Sequence, residues 1–342
     1  MIQTGRGPFL VIGENIHATR VLRRTSHVLD SLADGSPALR YTDEDEADRL
    51  LAVPPAAVEG FGDRIKVRHV RAALLAGMAG GADAELGRGY VRWLARRQVA
   101  AGADWLDCNV DEVSTDVDGR NAAIRWLVAA VEDATAVPLA LDSSSTEVLR
   151  AGLDASRRPN GAPLLNSAAL DRLDVLDLAA RESCPAILAA TGTAGMPASA
   201  GERVANASLI VDAALARGMS EAALHVDPLV LPVAVDPAHG AAFLEAVREI
   251  RTTFGPTIHV TGGLSNVSFG LPARRLLNDV FIDLAVEAGA DGGIIDPVAN
   301  DPSSAVGQDR ERSAFRLAAD VLTGADPFGA VFLAAFRADE IA

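Results

Sequence analysis

Lysine is nearly absent from this chain. Of its 31 basic residues all but Lys66 are arginine, and they stand against 46 acidic residues for a formal net charge of −15. So acidic a surface repels polyanions in general, and nucleic acid is excluded as an expected partner. Cysteine is equally scarce. Cys108 lies in an apolar strand and Cys184 beside Pro185, with no C-x-x-C and no nearby histidine pair. Both read as reduced core residues, so no protein-bound metal is expected. No apolar run approaches the roughly 18 residues that would span a bilayer. The N-terminus, MIQTGRGPFLVIG, runs straight into a short strand without a long apolar stretch or an A-x-A cleavage site. A cytoplasmic protein with no membrane association is the expectation.

What the chain does contain is rhythm. Hydrophobic residues make up 49% and charged ones 23% of 342 residues, enough for a sizeable core. From Arg88 onward short apolar strands alternate with helical stretches, the pattern of helices covering a parallel sheet. Strands are expected at Phe9–Ile12, Trp105–Asn109, Pro138–Leu141, Leu164–Leu165, Ala186–Ala190, Ala223–Val226, Thr257–Val260 and Gly292–Ile295. Helices are expected between them and over Ser303–Leu322, with GADPFGAVF as a packing tail. Eight of each make a (β/α)8 TIM barrel, one domain over residues 1–342. About residues 18–85 break the rhythm and read as a long insertion after strand one, with one or two short helices and the acidic run Asp43, Glu44, Asp45, Glu46. Such a run is more often a solvated face than a docking surface.

In a barrel, side chains at the C-terminal ends of the strands converge on one mouth. Six strands here end in Glu14, Asn109, Asp142, Asn166, Asp227 and Asn266. One such residue has a plain structural reading as the cap of the next helix, and Asp142 before Ser143-Ser144-Ser145 could be that alone. Six around one rim suit a flat polar heterocycle: carboxylates accept from amino and ring N–H groups, while amides serve its carbonyl and ring nitrogens. The seventh strand opens into TGGLSNVSFGLP (Thr261–Pro272), where Gly262 and Gly263 let backbone approach a ligand and Ser265, Asn266 and Ser268 offer neutral hydrogen-bonding groups. An Asx-type turn capping the next helix is the plainer reading of that stretch.

Six ordered blocks carry a resemblance: IGENI (Ile12–Ile16), WLDCNVDE (Trp105–Glu112), LALDSSS (Leu139–Ser145), LLNSA (Leu164–Ala168), HVDPLVLP (His225–Pro232) and GGLSNVSFGLP (Gly262–Pro272). From Phe9 to about Asn300 the chain resembles the pterin-binding barrels, and within them the methyltetrahydrofolate:corrinoid methyltransferases and the folate domain of cobalamin-dependent methionine synthase. The resemblance implies methyl transfer between N5 of tetrahydrofolate and cobalamin carried as a corrinoid on a partner protein, by a homodimer working in one-carbon metabolism. It implies that Asp142, Asn166 and Asp227 hold the pterin, with Asp107 and Asn109 at the pocket floor, Gly263 and Ser265 lining it, and Arg274 and Asn278 towards the substrate side. Asn266 matches the asparagine that contacts N5 and is the catalytic candidate. The first block departs from the usual G-E-R-[IT]-N, with Asn15 for Arg and His17 for Asn, which leaves the role of Glu14 open.

Dihydropteroate synthase shares this barrel, but it needs a lysine and an arginine near the last strands to neutralise pyrophosphate, and the only lysine here is Lys66. The zinc-dependent methyltransferases need a His and Cys cluster that is missing. Asp236-Pro237-Ala238-His239-Gly240 lacks the spacing of a corrinoid-carrying D-x-H-x-x-G motif. A protein that stores or senses folate without turning it over remains the non-catalytic alternative. The direction of methyl transfer is open.

Overall fold

The computed structural model describes residues 1–60, 64–193 and 195–341. Its strands are β1 (Ile2–Thr4), β2 (Gly7–His17), β3 (Val21–Arg23), β4 (Leu29–Ser31), β5 (Pro37–Thr42), β6 (Asp48–Ala52), β7 (Val58–Glu59), β8 (Lys66–Arg68), β9 (Trp105–Asn109), β10 (Leu139–Asp142), β11 (Leu164–Ala168), β12 (Ala186–Ala189), β13 (Leu224–Asp227), β14 (His259–Val260) and β15 (Gly292–Ile295). Its helices are α1 (His69–Ala79), α2 (Ala82–Ala100), α3 (Val117–Glu132), α4 (Thr146–Ala155), α5 (Asp174–Glu182), α6 (Ala200–Leu215), α7 (His239–Phe254), α8 (Arg274–Ala288), α9 (Pro302–Ala305), α10 (Ser313–Thr323) and α11 (Ala330–Arg337). The chain is an α/β fold with a mostly parallel sheet, and each of the eight expected sheet strands is present with ends moved by a few residues. Two compact units divide it, residues 13–100 with 105–164, and residues 1–12 with 101–104 and 165–342.

In the first unit β9 and β10 pair in parallel with Asn109 opposite Asp142, and Ala18 N–H donates to the Asn109 carbonyl at 3.0 Å. The segment after the first sheet strand carries the expected short helix, α1, with α2 beginning at its end, and ahead of them six short strands that its sequence does not predict. It forms two three-stranded antiparallel sheets, β3-β8-β7 and β4-β5-β6, ahead of α1; residues 61–63 of it lie outside the described residues. The reason is local. PALRYT and DRLLA pair as a hairpin, and the acidic run makes its turn, since the Asp43 carboxylate accepts from the Asp45 and Ala47 N–H groups at 2.9 Å each. This hairpin packs on α2 through Tyr41, whose ring stands edge-on to Tyr90 at 5.7 Å and tilted to Trp93 at 6.5 Å. Helices α1 and α2 close on each other at Gly87, where a Cβ would lie 2.5 Å from the Ala73 carbonyl oxygen.

In the second unit β11, β12, β13 and β14 run in parallel order. β15 follows, with Asp291 N–H on the Val260 carbonyl and Ile294 N–H on that of Gly262. It pairs in turn with β2. The single last helix expected over Ser303–Leu322 is two helices, α9 and α10. Gly307 adopts φ +84° between them and its N–H is taken by buried Asp283 at 2.8 Å, which ends the first helix. The tail is itself helical, as α11.

Adjacent β13 and β14 place His225 beside His259 in a parallel stack with centroids 4.6 Å apart. His259 Nδ1 lies 2.8 Å from Asp291 Oδ2, and Arg251 Nη2 donates to Asp291 Oδ1 at 2.9 Å. Burial drives His225 down to about 3, with His259 adding to the shift. Burial pushes the Asp291 carboxyl up, but the His259 and Val260 N–H hydrogen bonds and the Arg251 charge outweigh it and hold the group below the usual range. Both shifts act in one direction. The folded-state value of His225 lies below its unfolded value, so its contribution is complete above about pH 6.5 and is lost as the unfolded chain takes up a proton. That of Asp291 is lost only as pH falls through the carboxylate range. Urea unfolding of wild type between about pH 6.5 and about pH 4.5 should therefore lose up to about 1.4 kcal/mol per pH unit through His225. His225→Gln should remove about one proton from that slope; an unchanged slope would show that His225 does not titrate on unfolding.

Candidate functional site

Parallel register sets the first polar group. On β9, period-two alternation puts Asp107 and Asn109 on one face and Cys108 on the other. Asn109 Nδ2 donates to Asp142 Oδ2 at 3.0 Å across the β9–β10 ladder. Asp107 is buried at 2% exposure. Glu14, on β2, pairs with Arg20 at 3.0 Å. His17, three residues on, brings Nε2 within 3.4 Å of Asp142 Oδ2. Its Nδ1 lies 2.8 Å from Thr19 Oγ1 and 3.3 Å from the Thr19 N–H; an Nδ1 that accepts leaves the ring proton on Nε2, facing Asp142. In sequence His17 stands out only as a departure from the usual first block. Asp111 takes the Ser143 hydroxyl at 2.5 Å and the Ser144 N–H at 2.8 Å. Asp142 is therefore free of the capping role its position allowed; Ser145 is the N-cap residue of α4.

A second group lies within the other unit. Asn166, half-buried on β11, is opposite Ile187 of β12. Asp227 ends β13 opposite Ala189, and its Oδ1 accepts from the Leu229 N–H at 2.8 Å. Desolvation pushes its carboxyl up to about 6, opposed by the Leu229 N–H and by the charge of Arg203. The Gly262-Gly263 turn follows β14. A Cβ on Gly262 would stand 3.1 Å from Asp227 Oδ1, and one on Gly263 only 2.8 Å from Asn266 Nδ2. The glycine pair thus makes room for two side chains of the site, one on each residue. Asn266 is half-buried in a short 3₁₀ turn over Leu264–Ser268. Its side-chain amide forms no hydrogen bond among the described residues, while its backbone N–H is bound to Gly263.

Arg274 and Asn278 sit behind this turn. Arg274 donates from Nη2 to the Ser265 carbonyl at 2.9 Å and from Nε to Ser268 Oγ at 3.0 Å, and its guanidinium lies 4.4 Å over the Phe269 ring. Ser268 Oγ donates to Asn278 Oδ1 at 2.7 Å, and Asn278 Nδ2 reaches Asn300 Oδ1 at 3.4 Å. Ser265 is buried and enters this lattice through its carbonyl. The lattice holds the turn that carries Asn266. It was invisible in sequence because Arg274 and Asn278 meet the turn, and Asn300 meets Asn278, only once α8 folds back.

Residues 91–296 match the family model for pterin binding enzymes. The chain belongs to the pterin binding enzymes. A methylcorrinoid:tetrahydrofolate methyltransferase of Eubacterium limosum is 29% identical over 258 residues, 74% of this chain and 89% of that enzyme. Methionine synthase of Mycobacterium tuberculosis is 30% identical over 236 residues, 64% of this chain but only 19% of the synthase. Among solved structures, a dihydropteroate synthase of Xanthomonas albilineans shares the fold with a TM-score of 0.51 at 21% identity, over 66% of this chain and 85% of that one. No helix of the described residues is long and apolar enough to cross a membrane.

Substitution of Gly263 tests how the turn seats Asn266. Gly263→Ala sets a methyl group against a side-chain end that can swing away. The variant is expected to fold, with its unfolding midpoint within about 4 °C of wild type, while the Asn266 side-chain amide resonances move. Unmoved resonances would show that the glycine is not what places this amide.

Proposed function

We propose that this pterin binding enzyme moves a methyl group between N5 of tetrahydrofolate and the cobalt of a corrinoid carried by a separate protein, within a single (β/α)8 domain. The observation that carries this reading is the glycine-pair turn. A carboxylate backs Gly262 and an uncommitted amide backs Gly263, so an acceptor for a pterin's amino and ring N–H groups and a neutral donor for a ring nitrogen flank one turn. Similarity along 89% of a methylcorrinoid:tetrahydrofolate methyltransferase supports the same chemistry. Asp142, Asn166, Asp107 and Asn109 are assigned to the pterin by their strand ends and by the resemblance of those blocks, with Ser265 and Gly263 in the lining. Glu14 stays a weaker assignment, since Arg20 already neutralises it.

Methyl transfer asks little of the protein beyond placement and one proton. The corrinoid supplies a strongly nucleophilic metal centre on its own protein. As the N5–methyl bond breaks, its electron pair stays on N5, and a hydrogen-bond donor at N5 stabilises that pair without a buried formal charge. Asn266 is placed for that and can equally accept from a protonated N5 by turning its amide. Asp227 binds the ring and stays a bystander to the transfer. Arg274 and Asn278 act by holding the turn. The dihydropteroate synthase reading gains no support, because Arg274, the basic side chain placed on the turn itself, is already engaged by Ser265 and Ser268. A homodimer, a cytoplasmic setting and a place in one-carbon metabolism belong to this proposal through the resemblance alone.

The test is isothermal titration with 5-methyltetrahydrofolate followed by methyl transfer to Co(I) cobalamin read by absorbance. Asp227→Asn should weaken binding by about tenfold to a hundredfold, the loss of a charge-assisted pair. Asn266→Ala should bind within about threefold of wild type yet transfer methyl about a hundredfold more slowly. A wild type that does not bind the folate ends the reading. Binding with no methyl transfer would leave the non-catalytic folate binder in its place.

A further inference from the structure

Arg203 is the bulkiest of the fully buried side chains, with 0% exposure. It belongs to the first turn of α6, whose start is fixed by a capping pair: the Ser199 hydroxyl accepts from the Glu202 N–H at 3.2 Å, and Glu202 Oε2 reaches back to the Ala198 N–H at 2.6 Å. The Arg203 guanidinium donates from Nη1 to the Ser199 carbonyl at 3.1 Å. Its Nε and Nη2 are buried and have no hydrogen-bond partner among the described residues. A cation sealed in protein with two of its three nitrogens unpartnered is costly, and such a group needs a reason. No ion pair to Arg203 within 4.0 Å exists among the described residues; the charges acting on it come from Glu202 and Asp227.

Placement makes Asp227 the relevant one. Helix α6 packs on β12 and β13. Ala189 of β12 is paired with Asp227, the Ala190 N–H donates to the Asp227 carbonyl at 2.9 Å, and Asn206 of α6 holds the Ala190 carbonyl at 3.0 Å. The N-terminal half of α6 is thereby tied to the strand end that carries the carboxylate. We propose that Arg203 is a positioning residue whose buried guanidinium supplies the positive charge that lets Asp227 receive the pterin as a carboxylate. The inference rests on the pterin reading and adds to it a residue that touches no substrate.

The remaining groups around Asp227 do not supply that charge. The Glu202 carboxylate is turned onto the Ala198 N–H. His225, two residues back on β13, is kept neutral by burial in its stack with His259, and Asp291 beyond it is engaged by His259 and Arg251. In the turn after β14, Gly262 comes near Asp227 Oδ1, and the side chains that crowd the same glycine, Phe243 of α7 and Val230 beyond β13, carry no charge. Burial alone drives the Asp227 carboxyl upward, with Arg203 and the Leu229 N–H opposing it. Loss of the cation leaves only the N–H, so the carboxyl protonates at a higher pH and the acceptor is lost earlier on acidification.

The experiment is titration of the full chain with 5-methyltetrahydrofolate from about pH 5.5 to about pH 8, with Asp227→Asn as the control that carries only the ligand's own titration. Arg203→Met should move the acidic limb of the binding curve up by about one pH unit, a roughly tenfold weakening near pH 6. Near pH 8 its affinity should be within about twofold of wild type. Arg203→Lys should restore the wild-type midpoint. Weakening by the same factor at every pH, or an unmoved midpoint, would overturn the inference and leave Arg203 as packing. If Arg203→Met does not fold, the double variant Arg203→Met, Asp227→Asn decides. Recovery of folding in the neutral pair supports the coupling, and failure of both overturns it. A wild type that binds no folate at any pH removes the pterin reading itself, a result distinct from an unmoved midpoint.

Discussion

A carboxylate desolvated at the end of a strand is the constraint that its surroundings answer here. Water would keep such a group ionised at no structural expense, and where water is withdrawn the protein has to supply the compensating groups itself. For Asp227 these are a backbone N–H from Leu229 and the nearby charge of Arg203. Asp142 stands in a different setting, with the Asn109 amide and the His17 ring as neighbours. The two aspartates look alike in sequence and differ in what surrounds them.

Neutral donors recur for a related reason. A side-chain amide can donate or accept without leaving a charge buried; that of Asn109 is fixed between Asp142 and the Asp111 N–H, while that of Asn266 forms no hydrogen bond among the described residues. The price is looseness, which the lattice of Arg274, Ser265, Ser268 and Asn278 offsets by pinning the backbone of the turn. In that lattice Arg274 spends its charge on a carbonyl and an aromatic face, which is why a basic residue so close to the turn does not make a phosphate site.

Strand ends and their polar residues were legible in sequence because each depends on a few neighbours: an apolar run of four or five, then a side chain that ends it. β9 and β15 fall where the pattern places them, and Asn109, Asp142 and Asp227 end their strands as read, whereas β2 runs on past Glu14 to His17, β11 past Asn166 to Ala168, and Asn266 lies in the turn beyond β14. The strands of the segment after β2 were not legible. They are short, four of them having only two or three residues, and they are defined by antiparallel partners, with β3 paired to β8 more than forty residues away in sequence. The split of the last expected helix turned on Gly307 and on Asp283, which lies on a different helix.

By itself the sequence determined the alternation of strand and helix, the acidic surface, and which polar side chains close the strands, since all of these follow from composition and short-range periodicity. Tertiary structure alone decided what those side chains meet. It set Arg203 where its charge acts on Asp227, His17 against Asp142, and Arg274 onto the Ser265 carbonyl and the Ser268 hydroxyl. Each of those depends on how the elements pack, and in two of the three it is a charge whose effect depends on how much water the fold leaves around it.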